Sequence, residues 1–226
     1  MREAWGIPAA VLVASHIGFG AAARALDFSF VLAVFSTVAL WALPGQLIMV
    51  ESWAAGAAVF AIVPAVMFSA ARFLPMAVVL MPVLRDARRG PLQYYSAAHL
   101  ISMTTWAVTM QRCPQLPVPA RLPFFFGFSL VCWLASMAAV AAGFALAGSI
   151  PAWVGLGLIF LTPMYFLLIL IGEAARQPSA RAALICGAVA GPLLHLAVPQ
   201  WGVLLAGVIG GTAAFYVNRA HRSRDE

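Results

Sequence analysis

The chain has 226 residues, 64% of them hydrophobic and 9% charged, with a mean hydropathy of +0.97. Soluble domains are roughly half apolar and a quarter charged, so this composition excludes a soluble globular protein and identifies an integral membrane chain. All thirteen basic residues are arginines, scattered singly or in small groups between apolar runs; the net charge of +6 therefore reads as a topology signal and excludes a nucleic-acid surface.

Apolar runs separated by charges or Pro/Gly breaks predict spans near 4–23, 28–50, 54–82, 122–147, 151–171, 182–198 and 200–217. The expected fold is an all-α integral membrane protein, a single polytopic domain over 1–226 with about seven transmembrane helices. The first run looks like a signal peptide on the surface, but Glu3 offsets Arg2, His16 interrupts the apolar stretch and further spans follow, so it reads as a membrane segment.

Pro44-Gly45 interrupts the second run, Pro64 and Pro75 the third, Pro163 the fifth and Pro192 the sixth. A proline inside a helix removes a backbone hydrogen bond, and in lipid the freed group needs a protein or water partner; broken helices therefore belong inside a bundle or around a cavity. Between the third and fourth runs, "QYYSAAHLISMTTWAVTMQR" (93–112) is too polar to face lipid and is expected to be a re-entrant or interfacial element. Arginines 85, 88 and 89, then 112 and 121, then 176 and 181, then 219, 222 and 224 mark four cytoplasmic segments. Both ends of 93–112 then lie on one side, and the same count places Met1 outside.

The breaks recur in order. "VALWALPGQLIMV" (38–50) precedes "FAIVPAVMFSAARFLPMAVVL" (60–80), and "LIFLTPMYFLLIL" (158–170) precedes "ALICGAVAGPLLHLAVPQWGVLL" (183–205). Each pair is a Pro-interrupted span and then a span with an early proline, a central basic residue (Arg72 or His195) and a second proline. This predicts an inverted repeat, the arrangement that places a transporter's site near the bilayer midplane.

Arg72 lies about 13 residues from Arg85, roughly 20 Å along a helix and too deep to snorkel. Asp27, Glu51, Asp86 and Glu173 all lie outside span centres, so its partner is expected to be backbone carbonyl or a bound anion such as a substrate carboxylate. Gln46 follows Pro44-Gly45 in mid-span and offers both donor and acceptor, suited to a ligand or to another helix. Pro163 marks a second break, His195 is a proton relay or a helix bridge, and His99 and Thr104 line the polar segment. Neither GxSxG, HExxH, a P-loop nor paired intramembrane aspartates occur, so no enzyme is expected. Cys113, Cys132 and Cys186 lack the spacing of a zinc site or disulfide framework, so no metal or cofactor is expected and the thiols read as packing groups. Gly187/Gly191 and Gly207/Gly211 form two GxxxG patterns in the last hairpin, which predict close helix contact, within the bundle or with another subunit.

The order "LPGQL", "FSAARFLP", a polar segment, "FLTPMYFLLIL" and "LLHLAVPQWGVLLAGVIGG" resembles the AzlC/YgaZ family, the large subunits of bacterial branched-chain amino-acid exporters, over about residues 18–215. The resemblance implies a multi-pass permease of the bacterial cytoplasmic membrane that works with a small AzlD/YgaH-like membrane subunit and exports amino acids such as valine. By motif match Gln46 takes the glutamine of the family's "GAAQF"-like break, Arg72 the arginine of its "NLRH"-like motif and His195 the histidine of its "LLLHL" segment. Ser69 and Phe73 stand where the family commonly has Asn and His, and "SMTT" (102–105) stands where many members carry an acidic "TDE", departures that bear on substrate and proton coupling. The combined expectation is alternating access around a site near Pro44, Gly45, Gln46 and Pro163, with Arg72 meeting a substrate carboxylate. A non-transporting structural or regulatory subunit and a passive channel are the alternatives.

Overall fold

The computed structural model describes residues 6–149, 151–176, 178–197 and 202–222. Among these residues the chain is helical and contains no strand. It divides into two compact units, residues up to Thr162 and residues from Pro163.

In the first unit, α1 (Ile7–Ala25) is followed by two short helices, α2 (Phe30–Ala39) and α3 (Leu43–Ala54), and by the pair α4 (Val59–Ala70) and α5 (Phe73–Leu84). Two more short helices, α6 (Pro91–His99) and α7 (Met103–Arg112), lead through a 3₁₀ turn into the long α8 (Val118–Leu146) and the start of α9 (Ala152–Arg176). Of the described helices, α1, α8 and Ala152–Gly172 of α9 are long and apolar enough to cross a membrane. The pair α4/α5, bent by 44°, adds a fourth if counted as one span.

The helices α1 and α8 run parallel. Residues Ala9 to Val13 lie against Val131 to Ala135, Gly20 meets Val140 and Phe144, and Arg24 donates to the carbonyls of Phe144 (3.0 Å) and Ala145 (3.3 Å). The last of these contacts caps the carbonyl end of α8 with a cation, where the helix dipole favours one. The start of α1 therefore lies at the Val118 end of α8, the end that also holds Arg112 and Arg121. Counting seven crossings puts the start of the first span at the opposite end, away from Arg112 and Arg121.

The count fails at the second apolar run, which folds back on itself instead of crossing. Phe30 at the start of α2 stacks edge-on to Phe144 (5.3 Å between ring centres), and Trp41 just past its end donates from Nε1 to Ser136 Oγ (3.0 Å). From there α3 returns. Trp53 at its end lies edge-on to Phe28, which precedes α2, with ring centres 5.9 Å apart. The reversal occurs at Leu40–Ala42, where Trp41 takes φ of 39°, a strained value for a bulky residue, held by burial and by the Ser136 bond. The proline that marked the break, Pro44, sits in the first turn of α3, where a missing N–H costs no helix bond. With ten residues in α2 and twelve in α3, the arms reach about 15 and 18 Å, little more than half of a hydrocarbon core.

The polar segment folds the same way from the other end. Tyr94 near the start of α6 bonds through its hydroxyl to the N–H (2.8 Å) and the carbonyl (3.0 Å) of Asp86, just past α5. At the tip, His99 Nε2 donates to Val38 O of α2 (3.0 Å). Ser102 and Thr105 then form a reciprocal capping box that starts α7. Trp106 Nε1 donates to Met76 O (3.2 Å), and Cys113 packs with Leu80, Leu84, Leu122 and Phe125 back at the Val118 end. Burial raises the Cys113 thiol above its ordinary range, against the opposing pull of Arg121. Arg121 also donates to Val83 O (3.2 Å), which fixes the end of α5 beside the start of α8.

Not every proline that suggested a break makes one. Pro64, Pro163 and Pro192 lie inside continuous helices, α4, α9 and α10 (Pro178–Ala197), whereas Pro44 and Pro75 lie in the first turns that follow real breaks. In the second unit α10 packs along α11 (Gly202–Arg222). The close approach there belongs to Gly210, whose Cβ position is 3.5 Å from the Cys186 backbone, while open space surrounds the Cβ positions of Gly187, Gly191, Gly207 and Gly211.

Single cysteines replacing Ser29 and Ala55 in a chain with Cys113, Cys132 and Cys186 removed are expected to react with an impermeant maleimide from the same side of the membrane. A crossing of α2 and α3 as one span would place them on opposite sides.

Candidate functional site

Two chain breaks meet near the middle of α8, and a third lies beside them. The tips of the two hairpins are joined by the His99–Val38 bond, and Leu100 of the second tip packs in one cluster with Trp41 of the first, Leu12 of α1, and Phe128 and Cys132 of α8. The third break is the bend at Ala71–Arg72. It reaches the first tip through Gly45, whose Cβ position lies 3.6 Å from Val66 Cγ1 and 3.9 Å from Ser69 Oγ, one turn before Arg72. It reaches the second tip through Met76, which receives the Trp106 bond. Arg72 thus stands at the depth where the tips meet.

The Arg72 guanidinium lies over the Phe73 ring, 5.2 Å from its centre, and its Nε is buried without a hydrogen-bond partner among the described residues. Half-buried at the bend, it is the cation that the sequence singled out, and no carboxylate among the described residues is paired with it.

Gln46 is fully buried in the first turn of α3. Its Nε2 donates to Ser36 Oγ (3.1 Å) and Thr37 Oγ1 (2.8 Å) on the last turn of α2. Both hydroxyls donate onward to Ala33 O, at 2.7 and 3.2 Å. Because those protons are committed, the hydroxyls can only accept from the amide, which fixes the amide's orientation and leaves Oε1 as a buried acceptor without a partner.

His16 repeats the pattern on α1. Its Nδ1 lies 2.7 Å from Leu12 O, and since a carbonyl only accepts, Nδ1 carries the proton. Nε2 is buried with no partner among the described residues. His16 stands between Leu12, which packs with Trp41, and Phe19, which packs with Ala33, Leu43 and Val140; that is the level of the first tip. Thr109 Oγ1 of α7 and Ser129 Oγ of α8 are further buried groups without partners. All the buried polar side chains among the described residues lie in the first unit.

Of the residues singled out in the sequence, Pro44, Gly45, Gln46, Arg72 and His99 come together around the tips, and Thr104 is buried in the first turn of α7 beside them. His99 itself is exposed. Pro163 and His195 fall in the second unit, and the His195 side chain lies outside the described residues. Sequence reasoning gave His16 little weight and passed over Ser36, Thr37, Trp41, Ser129 and Ser136. Their signal is small polar residues at helical spacing inside apolar runs: Ser129, Cys132 and Ser136 make one stripe on α8.

Residues 9–150 match the family described as AzlC protein, a stretch that runs from the first turn of α1 past the end of α8 and holds both hairpins and the Arg72 bend. No curated protein and no solved structure matches the chain. The match covers more than half of the chain, and the protein belongs to the AzlC family.

Proposed function

We propose that the chain is a permease that moves a small amino acid or related carboxylate by alternating access across the point where the two hairpin tips meet. Its family and its apolar helices make it a membrane protein with a transport-related function of the branched-chain amino-acid exporter type. The observation that carries the finer reading is the pair of half-depth hairpins entering from opposite ends, with tips joined by His99 and Val38 beside the Arg72 bend. Irregular backbone at membrane depth is tolerated where protein or a cavity surrounds it, and half-helix ends at mid-depth supply dipoles for charged solutes. Arg72 requires a counter-charge, and a substrate carboxylate supplies it.

On this reading the Val118 end of α8 faces the cytoplasm of a bacterial cell and the bilayer crossings are α1, α4/α5, α8, α9, α10 and α11, six in place of about seven. In place of the inverted repeat expected between 38–80 and 158–205, whose segment 158–170 lies within the continuous α9, this reading pairs the two hairpins with the spans that follow them, α2 to α5 and α6 to α8, as inverted units. A small AzlD/YgaH-like membrane subunit is the companion, the lipid bilayer is the solvent, and the chain carries no catalysis, cofactor or metal of its own. Efflux of preloaded valine from proteoliposomes, with and without the companion, tests the reading. Saturable efflux is expected. No amino-acid flux in either preparation would remove it, and non-saturating conductance would replace it with a passive channel.

A further inference from the structure

The tip of the first hairpin distinguishes the two ends of a zwitterion. The α3 helix begins at Leu43 with no side-chain cap, and its second residue, Pro44, has no N–H, so the open donors of its buried first turn are few and belong to the backbone. A helix start of this kind favours an anion. In the same turn Gln46 Oε1 is a fully buried acceptor without a partner, attached to an amide whose other atom is pinned on the last turn of α2. An acceptor in that position calls for a donor, and the negative end of α2 beside it favours a cationic one. His16 Nε2 presents a second bare acceptor at the same level.

We propose that Gln46 Oε1 receives the ammonium group of the permeant while its carboxylate lies between the first turn of α3 and Arg72, so that a protonated amine is required for recognition. The inference rests on the transport reading above and adds to it the residue that reads the amine. The amide of Gln46 acts through shape as much as through affinity: Ser36 and Thr37 hold Nε2, so Oε1 cannot be exchanged for a donor. A 2-oxo acid of the same carbon skeleton presents only acceptors to this position and leaves Oε1 unpaired.

The experiment is counterflow into proteoliposomes of the full chain with the companion subunit, comparing L-valine with 3-methyl-2-oxobutanoate, in sodium and in choline buffer. The wild type is expected to prefer valine by at least about tenfold, as sites built around a ligand's hydrogen bond reject analogues that lack it. A triple variant, Ser36→Ala, Thr37→Val and Gln46→Leu, removes the acceptor together with both hydroxyl partners, so no polar group is left stranded. It is expected to lose about tenfold on valine and with it the preference. If that variant does not yield a folded protein, Gln46→Leu alone decides, since both hydroxyls keep their bonds to Ala33 O and only the amide is removed; it is expected to lose the preference. An unchanged preference in whichever of the two variants folds, or a defect that follows sodium and not the amine, overturns the inference while the transport reading stands. Wild-type protein that moves neither compound overturns both.

Discussion

Gly143→Ala is expected to destabilise the protein by about 1–3 kcal/mol and Gly143→Leu by more, whereas Gly127→Ala on the same helix is expected to stabilise it by about 0.5–1 kcal/mol. A Cβ on Gly143 would overlap the backbone of Ile17, its carbonyl oxygen first. Backbone cannot turn aside as a side chain does, so α1 and α8 would have to separate. Gly20 makes the reciprocal contact, with its Cβ position against Val140 O and 2.8 Å from Phe144 N. Gly18 brings α9 close as well, its Cβ position 2.8 Å from Gly155 O. In lipid, close approach of small residues and the dispersion contacts it allows are a main source of helix association, since no hydrophobic gain separates lipid from protein. Around Gly127 there is nothing within 4 Å, so a methyl there only removes backbone freedom from the unfolded chain. Denaturant unfolding in mixed micelles reads both signs; equal effects at the two positions would sink the argument.

Arg72→Ala is expected to lower the rate of valine transport at sub-saturating concentration by at least about tenfold, chiefly through a raised KM, with little change in unfolding temperature. The guanidinium makes no hydrogen bond with a described residue and contacts the Phe73 ring, so its removal costs the fold little. What it is expected to cost is the counter-charge for a carboxylate at depth, where screening is weak. Arg72→Lys keeps the charge without the planar fork and is expected to recover part of the loss. Valinamide, which lacks the carboxylate, supplies the discriminating measurement. Its flux should be insensitive to the substitution, and an equal loss for valine and valinamide would assign Arg72 to structure.

Much of the candidate site was legible in the sequence because its residues violate the chemistry of their surroundings. An arginine far from any span end, and a Pro-Gly-Gln triplet inside an apolar run, are visible without coordinates; the triplet lies at the first tip and the arginine at the bend beside it. His16, Ser36 and Thr37 were less legible, since small polar residues and single histidines in membrane helices serve packing as often as ligands. Their meaning depends on which proton goes where, and only the bonds from Ser36 and Thr37 to Ala33, and from His16 to Leu12, decide that. Prolines misled in part. Pro163 and Pro192 stand inside continuous helices, while the tightest reversal is at Leu40–Ala42, just before Pro44.

Composition alone determined that this chain lives in a bilayer, because so apolar a surface has no other solvent, and it determined which runs are apolar and where the arginine loops lie. The sign and depth of Arg72 followed from residue counting. Whether the run 28–50 crosses or turns back was decided only by tertiary structure, since a hydropathy window measures length and polarity and is blind to direction. The direction is set by contacts between residues far apart in the chain: Trp41 on Ser136, Phe30 on Phe144, and Phe28 on Trp53. Those contacts turn a predicted span into a half-depth hairpin, move the start of α1 to the Val118 end of α8, and bring Gln46 and Arg72 to one depth.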